Sequence, residues 1–249
     1  MNRPMSGPIE DTINADAVQM ALQPIVDMRT GKVLGQEALA RFPELNMGPQ
    51  EVFQEAKIAG LEIRLDFACL RAALGLLAEI PEDQYLSVNV LPVTLADEGW
   101  REFFVSDPEI LKLLTASMNR HRSESAVLWE ISETRDLNFA HIRSAVSELR
   151  QYWRIGINDV GTEGSGLYRI ARIRPDMVKL DRSLIHSCDE DASRQWVLEM
   201  LSASVPKLPA RIVAEGVERQ EEADTLIDMR IFFGQGYLFG KPSELGTRG

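Results

Sequence analysis

The chain has 249 residues, of which 45% are apolar and 26% charged, and its formal net charge is −11. This length suits one barrel-type domain or two small domains with a sizeable buried core. The negative charge argues against attraction of nucleic acid through bulk charge, so DNA is not expected as a partner. No apolar run approaches the length of a membrane span, which predicts a cytoplasmic chain without a membrane segment.

The first residues differ in composition from the rest of the chain. Residues 1–16 are polar, and Pro4, Gly7 and Pro8 are expected to break any helix there. We interpret this segment as a flexible tail or the remnant of a linker. Residues 17–245 are predicted to form one domain.

After this tail, short β-like runs alternate with longer helical patterns. The predicted strands are 18–28, 33–40, 85–90, 126–131, 154–159, 177–181, 211–215 and 230–234. The predicted helices between them include 50–59, 64–79, 138–152, 190–204 and 218–228. The alternation favours an α/β fold, and this number of strands favours a closed, TIM-like (β/α)₈ barrel. The connection 27–32 is too short for a helical crossover, so the first strand is predicted to be antiparallel.

Most of the predicted strands end in polar residues. These are Glu37, Asn89, Glu130, Asn158 with Asp159, Lys179 with Asp181, and Glu215, and Gln235 follows the last strand. In a barrel the carboxyl ends of parallel strands form one rim, where active sites are built. Clustered carboxylates repel one another, and hard divalent cations such as Mg²⁺, Mn²⁺ or Ca²⁺ relieve this repulsion. Each residue alone is equally well explained as a cap, a loop residue or an ion pair, but the set favours a metal site.

Short motifs follow one another in order between about Val18 and Pro242. They are Gln23-Pro24-Ile25-Val26-Asp27, Gly35-Gln36-Glu37-Ala38-Leu39-Ala40-Arg41-Phe42, Ser87-Val88-Asn89, Glu130-Ile131-Ser132-Glu133, Asn158-Asp159-Val160-Gly161-Thr162, Lys179-Leu180-Asp181-Arg182, Ala214-Glu215-Gly216-Val217-Glu218 and Gln235-Gly236-Tyr237-Leu238-Phe239-Gly240-Lys241-Pro242. Together they resemble the EAL family of bacterial cyclic di-GMP phosphodiesterase domains. A lone Glu-Ala-Leu tripeptide would carry no weight, whereas the ordered series is specific.

The resemblance implies hydrolysis of one phosphodiester bond of cyclic di-GMP to linear pGpG. It implies a two-metal site with Mg²⁺ or Mn²⁺ and inhibition by Ca²⁺. Because Asn158 stands where the family has an aspartate, the second metal is expected to bind weakly in this chain. The implied metal ligands are Glu37, Asn89, Glu130, Asn158, Asp159 and Glu215. The implied catalytic residues are Lys179, which would orient or deprotonate the attacking water, with Glu37, Asp159 and Glu215.

The resemblance also implies substrate contacts and partners. The implied substrate-binding residues are Gln23, Leu39, Arg41, Asp181, Gln235 and Pro242, with Arg41 at a phosphate. Glu133 would anchor the loop after the fifth strand. A homodimer with residues 161–174 near its interface is expected, as is an upstream sensory domain in a longer protein.

The chain departs from the family pattern at the fifth strand. The family usually has two aspartates where this chain has Asn158 and Asp159. An asparagine offers a carbonyl oxygen without negative charge, so it bridges two cations poorly. Three explanations stay open: an active phosphodiesterase, a receptor or regulatory module without turnover, and a substitution introduced to trap substrate. Glu163, in the following loop, is either a solvated charge or a replacement for the missing carboxylate.

Overall fold

The computed structural model describes residues 6–120, 126–132, 139–161, 166–204 and 210–243, and these form a closed barrel. The eight strands pair in sequence order. They are β1 (Gln19–Asp27), β2 (Lys32–Arg41), β3 (Tyr85–Val90), β4 (Val127–Ile131), β5 (Arg154–Val160), β6 (Met177–Leu180), β7 (Arg211–Glu215) and β8 (Phe233–Gln235). The predicted TIM-like barrel is confirmed.

Helices connect the strands and cover the outside of the barrel. Within the described residues they are α1 (Ser6–Asn14), α2 (Pro49–Ile58), α3 (Glu62–Gly75), α4 (Pro92–Leu95), α5 (Gly99–Ser106), α6 (Pro108–Arg120), α7 (Phe139–Leu149), α8 (Gly166–Ile173), α9 (Arg182–Ile185), α10 (Ala192–Ser204) and α11 (Gln220–Asp228). Short 3₁₀ turns span Pro43–Leu45 and Leu76–Glu79. No helix in the described part of the chain is long and apolar enough to cross a membrane.

Strand β1 runs antiparallel to both of its neighbours, as the short 27–32 connection predicted. The turn between β1 and β2 is closed by a hydrogen bond from the Gly31 amide to the Asp27 carbonyl, at 2.8 Å. Gly31 has a φ of +70°, a conformation that glycine adopts without a steric penalty. The remaining neighbouring strands, from β2 to β8, pair in parallel.

The expectation that no helix forms near the N-terminus is wrong. Residues Ser6–Asn14 form α1. Pro8 does not prevent this helix, because it lies in the first turn, where a missing N–H costs no intrahelical hydrogen bond. Ile9 is fully buried and belongs to an apolar cluster that includes Val52 and Leu65. The start of the predicted domain at residue 17 stays a prediction.

Two layers of side chains fill the inside of the barrel. The apolar layer consists of Ile25, Tyr85, Leu128, Met177 and Val213, with Phe233 packed against it. Side chains two positions apart on a strand share a face, so a second layer lies next to the first. This polar layer consists of Gln23, Glu37, Ser87, Glu130, Asn158, Lys179, Glu215 and Gln235.

A glycine makes room for the largest side chain of the apolar layer. A Cβ atom at Gly35 would lie 2.6 Å from the ring of Tyr85, which no carbon atom tolerates. The glycine on β2 therefore lets the tyrosine ring fill the barrel. The polar layer above it is consequently sealed from below by packed apolar atoms.

Candidate active site

Lys179 is the centre of the polar layer. Its Nζ lies 2.9 Å from Glu37 Oε2, 2.9 Å from Glu130 Oε2 and 2.6 Å from Glu215 Oε1. The side chain is fully buried. Burial opposes the charged form, but the three carboxylates outweigh it and raise the pKa of Lys179 well above its ordinary value. The raised pKa keeps the ammonium protonated, and its three N–H groups donate to the three carboxylates.

Glu37 accepts hydrogen bonds from three side chains. Its Oε1 accepts from Asn89 Nδ2 at 2.7 Å, and its Oε2 accepts from Lys179 and, at 2.6 Å, from Gln235 Nε2. Although burial opposes the shift, the charge of Lys179 and these hydrogen bonds lower the pKa of Glu37. Gln235 Nε2 also donates to Gln23 Oε1 at 3.0 Å, which fixes both amides at the rim.

The other two acids of the polar layer are less well compensated. Burial raises the pKa of Glu130, although Lys179 and a hydrogen bond from Ser87 Oγ favour its ionised form. Burial raises the pKa of Glu215 to about 7, and the nearby Glu37 and Glu130 add to this effect against Lys179. One ammonium faces three carboxyl groups, so the layer carries excess negative charge whenever more than one of them is ionised. Such a layer attracts cations.

Asn158 lies on β5 at the edge of the polar layer and is 7% exposed. Its Nδ2 donates to Asn89 Oδ1 at 2.8 Å. Its Oδ1 is buried and has no hydrogen-bond partner among the described residues. The side chain of Asp159, together with the residues Glu133 and Glu163, lies outside the described part of the structure.

A cavity of about 580 Å³ opens above the polar layer. Of the predicted substrate contacts, Gln23, Leu39 and Gln235 line it, and so do the predicted ligands Glu37, Asn89, Asn158 and Glu215. The volume is within the range of pockets for small organic ligands. Arg182, Glu218 and Tyr237 also line it.

The three other predicted substrate contacts do not line this cavity. Arg41 Nη1 donates to the Ala40 carbonyl at 2.9 Å. Asp181 caps α9 by accepting the Ser183 amide at 2.8 Å. Pro242 is half-buried next to the segment that bridges β1. In this conformation the Arg41 guanidinium is bonded to the backbone of β2 and lies outside the lining of the cavity.

The donor atoms of the rim suit a hard divalent cation. One carboxylate oxygen each from Glu37, Glu130 and Glu215 lie within 4.8 Å of one another. The unpartnered Asn158 Oδ1 and Gln235 Oε1 add buried oxygen atoms in the same layer. Oxygen-only sets of this kind bind Mg²⁺, Mn²⁺ or Ca²⁺. The residues therefore fit a cation, but Lys179 competes with it for the same carboxylates.

Two residues of the site were not predicted from the sequence. Ser87 donates to the Glu130 carboxylate from the neighbouring strand. Asp66, on α3, lines the cavity wall and accepts the Leu91 amide at 3.0 Å, two residues after Asn89. The only signal for Asp66 in the sequence is that an acid interrupts the apolar run Leu65-Asp66-Phe67-Ala68. This indicates a buried carboxyl group but does not show that the Leu91 amide is its partner.

Residues 8–242 match the sequence profile of the family described as EAL domain. The chain belongs to the EAL domain family. It is 30% identical over 232 residues to the "Probable cyclic di-GMP phosphodiesterase PdeI" of Escherichia coli (strain K12), a match that covers 90% of this chain and 28% of that protein. The chain spans less than half the length of the curated relatives that it matches.

Solved EAL structures share the barrel. The Klebsiella pneumoniae BlrP1 calcium/cy-diGMP complex superimposes with a TM-score of 0.74 at 28% identity, covering 98% of this chain and 58% of that one. A manganese/cy-diGMP complex of BlrP1 matches at the same TM-score and 29% identity, covering 91% and 56%. The EAL enzyme Bd1971, in its cAMP and cyclic-di-GMP bound form, has a TM-score of 0.82 at 22% identity, covering 97% and 66%, which shows the fold alone.

Proposed function

We propose that this EAL domain binds cyclic di-GMP and hydrolyses one of its phosphodiester bonds to give linear pGpG, with a turnover that Asn158 lowers. The observation that carries the proposal is the polar layer at the carboxyl ends of the strands, which opens into the ligand-sized cavity. Relatives named "Probable cyclic di-GMP phosphodiesterase" support the choice of substrate.

A divalent cation is part of the proposal. Mg²⁺ or Mn²⁺ would be held by Glu37, Asn89 and Glu130, with Asn158, Asp159 and Glu215 toward a second and weaker position; Ca²⁺ would inhibit. When bound, the metal supplies positive charge for the phosphate and a water that ionises near neutral pH. The crowding of three carboxyl groups around one ammonium supports a cation, because ionising more than one of them leaves negative charge that would repel an anionic dinucleotide.

The side chains in and around the cavity have the following roles in this proposal. Lys179 donates hydrogen bonds and orients a water or a phosphate oxygen from beneath the cavity. Gln23 and Gln235 hold Glu37 in place and line the pocket. Leu39 packs against a base, while Arg41 contacts a phosphate after leaving the Ala40 carbonyl. Asp181 and Pro242 are proposed at the outer edge of the bound dinucleotide.

The second candidate function is a cyclic di-GMP receptor or protein-interaction module without turnover. Asn158 favours it, because the amide brings no negative charge and its Nδ2 already occupies the Asn89 oxygen. We propose in either case a cytoplasmic homodimer with residues 161–174 near the interface, of which 162–165 lie outside the described residues. The same proposal includes an upstream sensory domain, with residues 1–16 as a linker and residues 17–245 as the catalytic domain. It also includes Glu133 as the anchor of the loop after β5.

Product analysis with saturating Mg²⁺ or Mn²⁺ tests the function. The Asn158→Asp variant should form pGpG at least about 10²-fold faster than the natural sequence, while the affinity for the dinucleotide changes much less. Glu37→Gln in the Asn158→Asp background is the inactive control. Equal rates of pGpG formation by the natural sequence and by Asn158→Asp would refute the role of Asn158 in lowering turnover. Tight binding without pGpG from either sequence would establish the receptor instead, and loss of both would refute the substrate.

A further inference from the structure

The direction of the hydrogen bonds around Asn89 is determined by Glu37. The Glu37 carboxylate receives hydrogen bonds from three side chains, so its Oε1, at 2.7 Å, must face the amino group of Asn89. The Oδ1 of Asn89 then points to the fifth strand. Position 158 must offer a donor to that oxygen, and Asn158 Nδ2 does so at 2.8 Å.

An aspartate at position 158 could not complete this chain of hydrogen bonds. Its ionised carboxylate only accepts, so it would face Asn89 Oδ1 with two acceptors in contact. Rotating the Asn89 amide by a half turn only moves the conflict, because Asn89 Oδ1 would then face Glu37 Oε1. One acceptor–acceptor contact remains in either orientation unless a cation or a proton lies between them. An amide at position 158 removes the conflict altogether.

We infer that the Asn158 amide replaces a divalent cation in holding β5 to Asn89, so that the rim of this chain assembles without bound metal. Lys179 completes the same arrangement by supplying the positive charge among Glu37, Glu130 and Glu215. The inference rests on the proposed function for the identity of the group that is replaced. In this chain a divalent cation is therefore not needed to assemble the rim, although the proposed hydrolysis still uses one.

The free Asn158 Oδ1 gives the competing explanation. This buried oxygen has no partner among the described residues and could itself ligate a cation. In that case the natural chain would gain as much stability from metal as one with aspartate at this position. If the amide instead replaces the cation, the natural chain gains little, because binding the metal through Asn89 would break the Asn158–Asn89 hydrogen bond.

Thermal unfolding in EDTA and in Mn²⁺, without dinucleotide, separates these cases. The proteins are the natural chain, Asn158→Asp, Asn158→Ala, and Gln54→Glu as the control for exchanging an amide for a carboxylate, since Gln54 is exposed on α2. In EDTA, Asn158→Asp should melt at least about 4 °C below the natural chain, because buried acceptors are left in contact. Asn158→Ala should melt roughly 2–6 °C below the natural chain, and Gln54→Glu should melt at nearly the same temperature as the natural chain. Mn²⁺ should raise the melting temperature of Asn158→Asp clearly more than that of the natural chain.

Two results would overturn the inference. One is a natural chain that melts no higher than Asn158→Asp in EDTA, and the other is an equal gain from Mn²⁺ in both. If Asn158→Asp is unfolded in EDTA, recovery of its far-ultraviolet circular dichroism on adding Mn²⁺ supports the inference. If it folds in neither condition, Asn158→Ala decides: a lower melting temperature than the natural chain supports the inference and an equal one overturns it. Because no dinucleotide is present, none of these results bears on whether cyclic di-GMP is the substrate.

Discussion

The apolar and polar layers of the barrel stand on the same strands, two residues apart, yet they are stabilised in opposite ways. Leu128 precedes Glu130 on β4, and Met177 precedes Lys179 on β6. In the apolar layer each side chain gains from contact with any neighbour of suitable shape. In the polar layer each side chain depends on specific partners, because a buried charge without its counter-charge is strongly unfavourable. The polar layer should therefore tolerate the loss of one member less well than the apolar layer does.

Replacing Lys179 by methionine is the most severe test of this comparison. The three carboxyl groups would lose their only close cation among the described residues. The free energy of unfolding in urea, measured in EDTA, should fall by about 4–5 kcal/mol. Lys57→Met, at an exposed position on α2, is the matched control and should change little. A loss below about 1 kcal/mol would mean that the layer is not held together by the ammonium.

Asp66 sharpens the comparison, because it is a buried acid that belongs to neither layer and forms no ion pair with any described residue. Burial raises its pKa to about 7 from 3.8, and the nearby Thr94 side chain and the hydrogen bond from the Leu91 amide only partly oppose this. The unfolded chain releases this proton near pH 4, whereas the folded chain keeps it until about pH 7. Stability should therefore fall as pH rises through this window, by at most roughly 4 kcal/mol, and remain reduced above it.

Urea unfolding of the natural chain and of Asp66→Asn at several pH values between 4 and 8 measures this contribution. The variant cannot ionise at this position, so the difference in stability between the two proteins should shift in favour of the variant as pH rises. Asp83→Asn, the same exchange at an exposed turn, should leave the pH dependence nearly unchanged. A constant difference between the natural chain and Asp66→Asn across this range would show that Asp66 ionises normally.

Asp66 also shows where prediction from the sequence stops. The polar layer could be predicted, because Glu37, Glu130 and Glu215 each lie within or at the end of a β-like run and neighbouring parallel strands bring them to one level of the barrel; Glu37 lies in the middle of β2 rather than at its end. The hydrogen bond of Asp66 could not be predicted, because its donor is the backbone amide of Leu91, between β3 and α4, whose position only the folded chain defines. Which carboxylates share Lys179 depends in the same way on side-chain rotamers.

Helix α1 was missed for a related reason. Gly7 and Pro8 disfavour an isolated helix, and the apolar cluster that receives Ile9 is built from residues remote in sequence, such as Val52. Tertiary packing supplies what local propensity lacks. The side chain of Asp159 and the segment containing Glu163 lie outside the described residues, so their predicted roles remain untested.

The smallest of the three effects is expected in the apolar layer. Leu128 is fully buried, and replacing it by alanine leaves a cavity beneath the polar layer. The free energy of unfolding should fall by about 3 kcal/mol, and Leu128→Met, which nearly conserves volume, should lose less than about 1.5 kcal/mol. The loss from alanine should be equal at pH 5 and pH 8 and unaffected by Mn²⁺, because no charge is unpaired. A loss that varies with pH or metal would mean that the cavity lets Glu130 move away from Lys179, which would show that the two layers act as one unit rather than two.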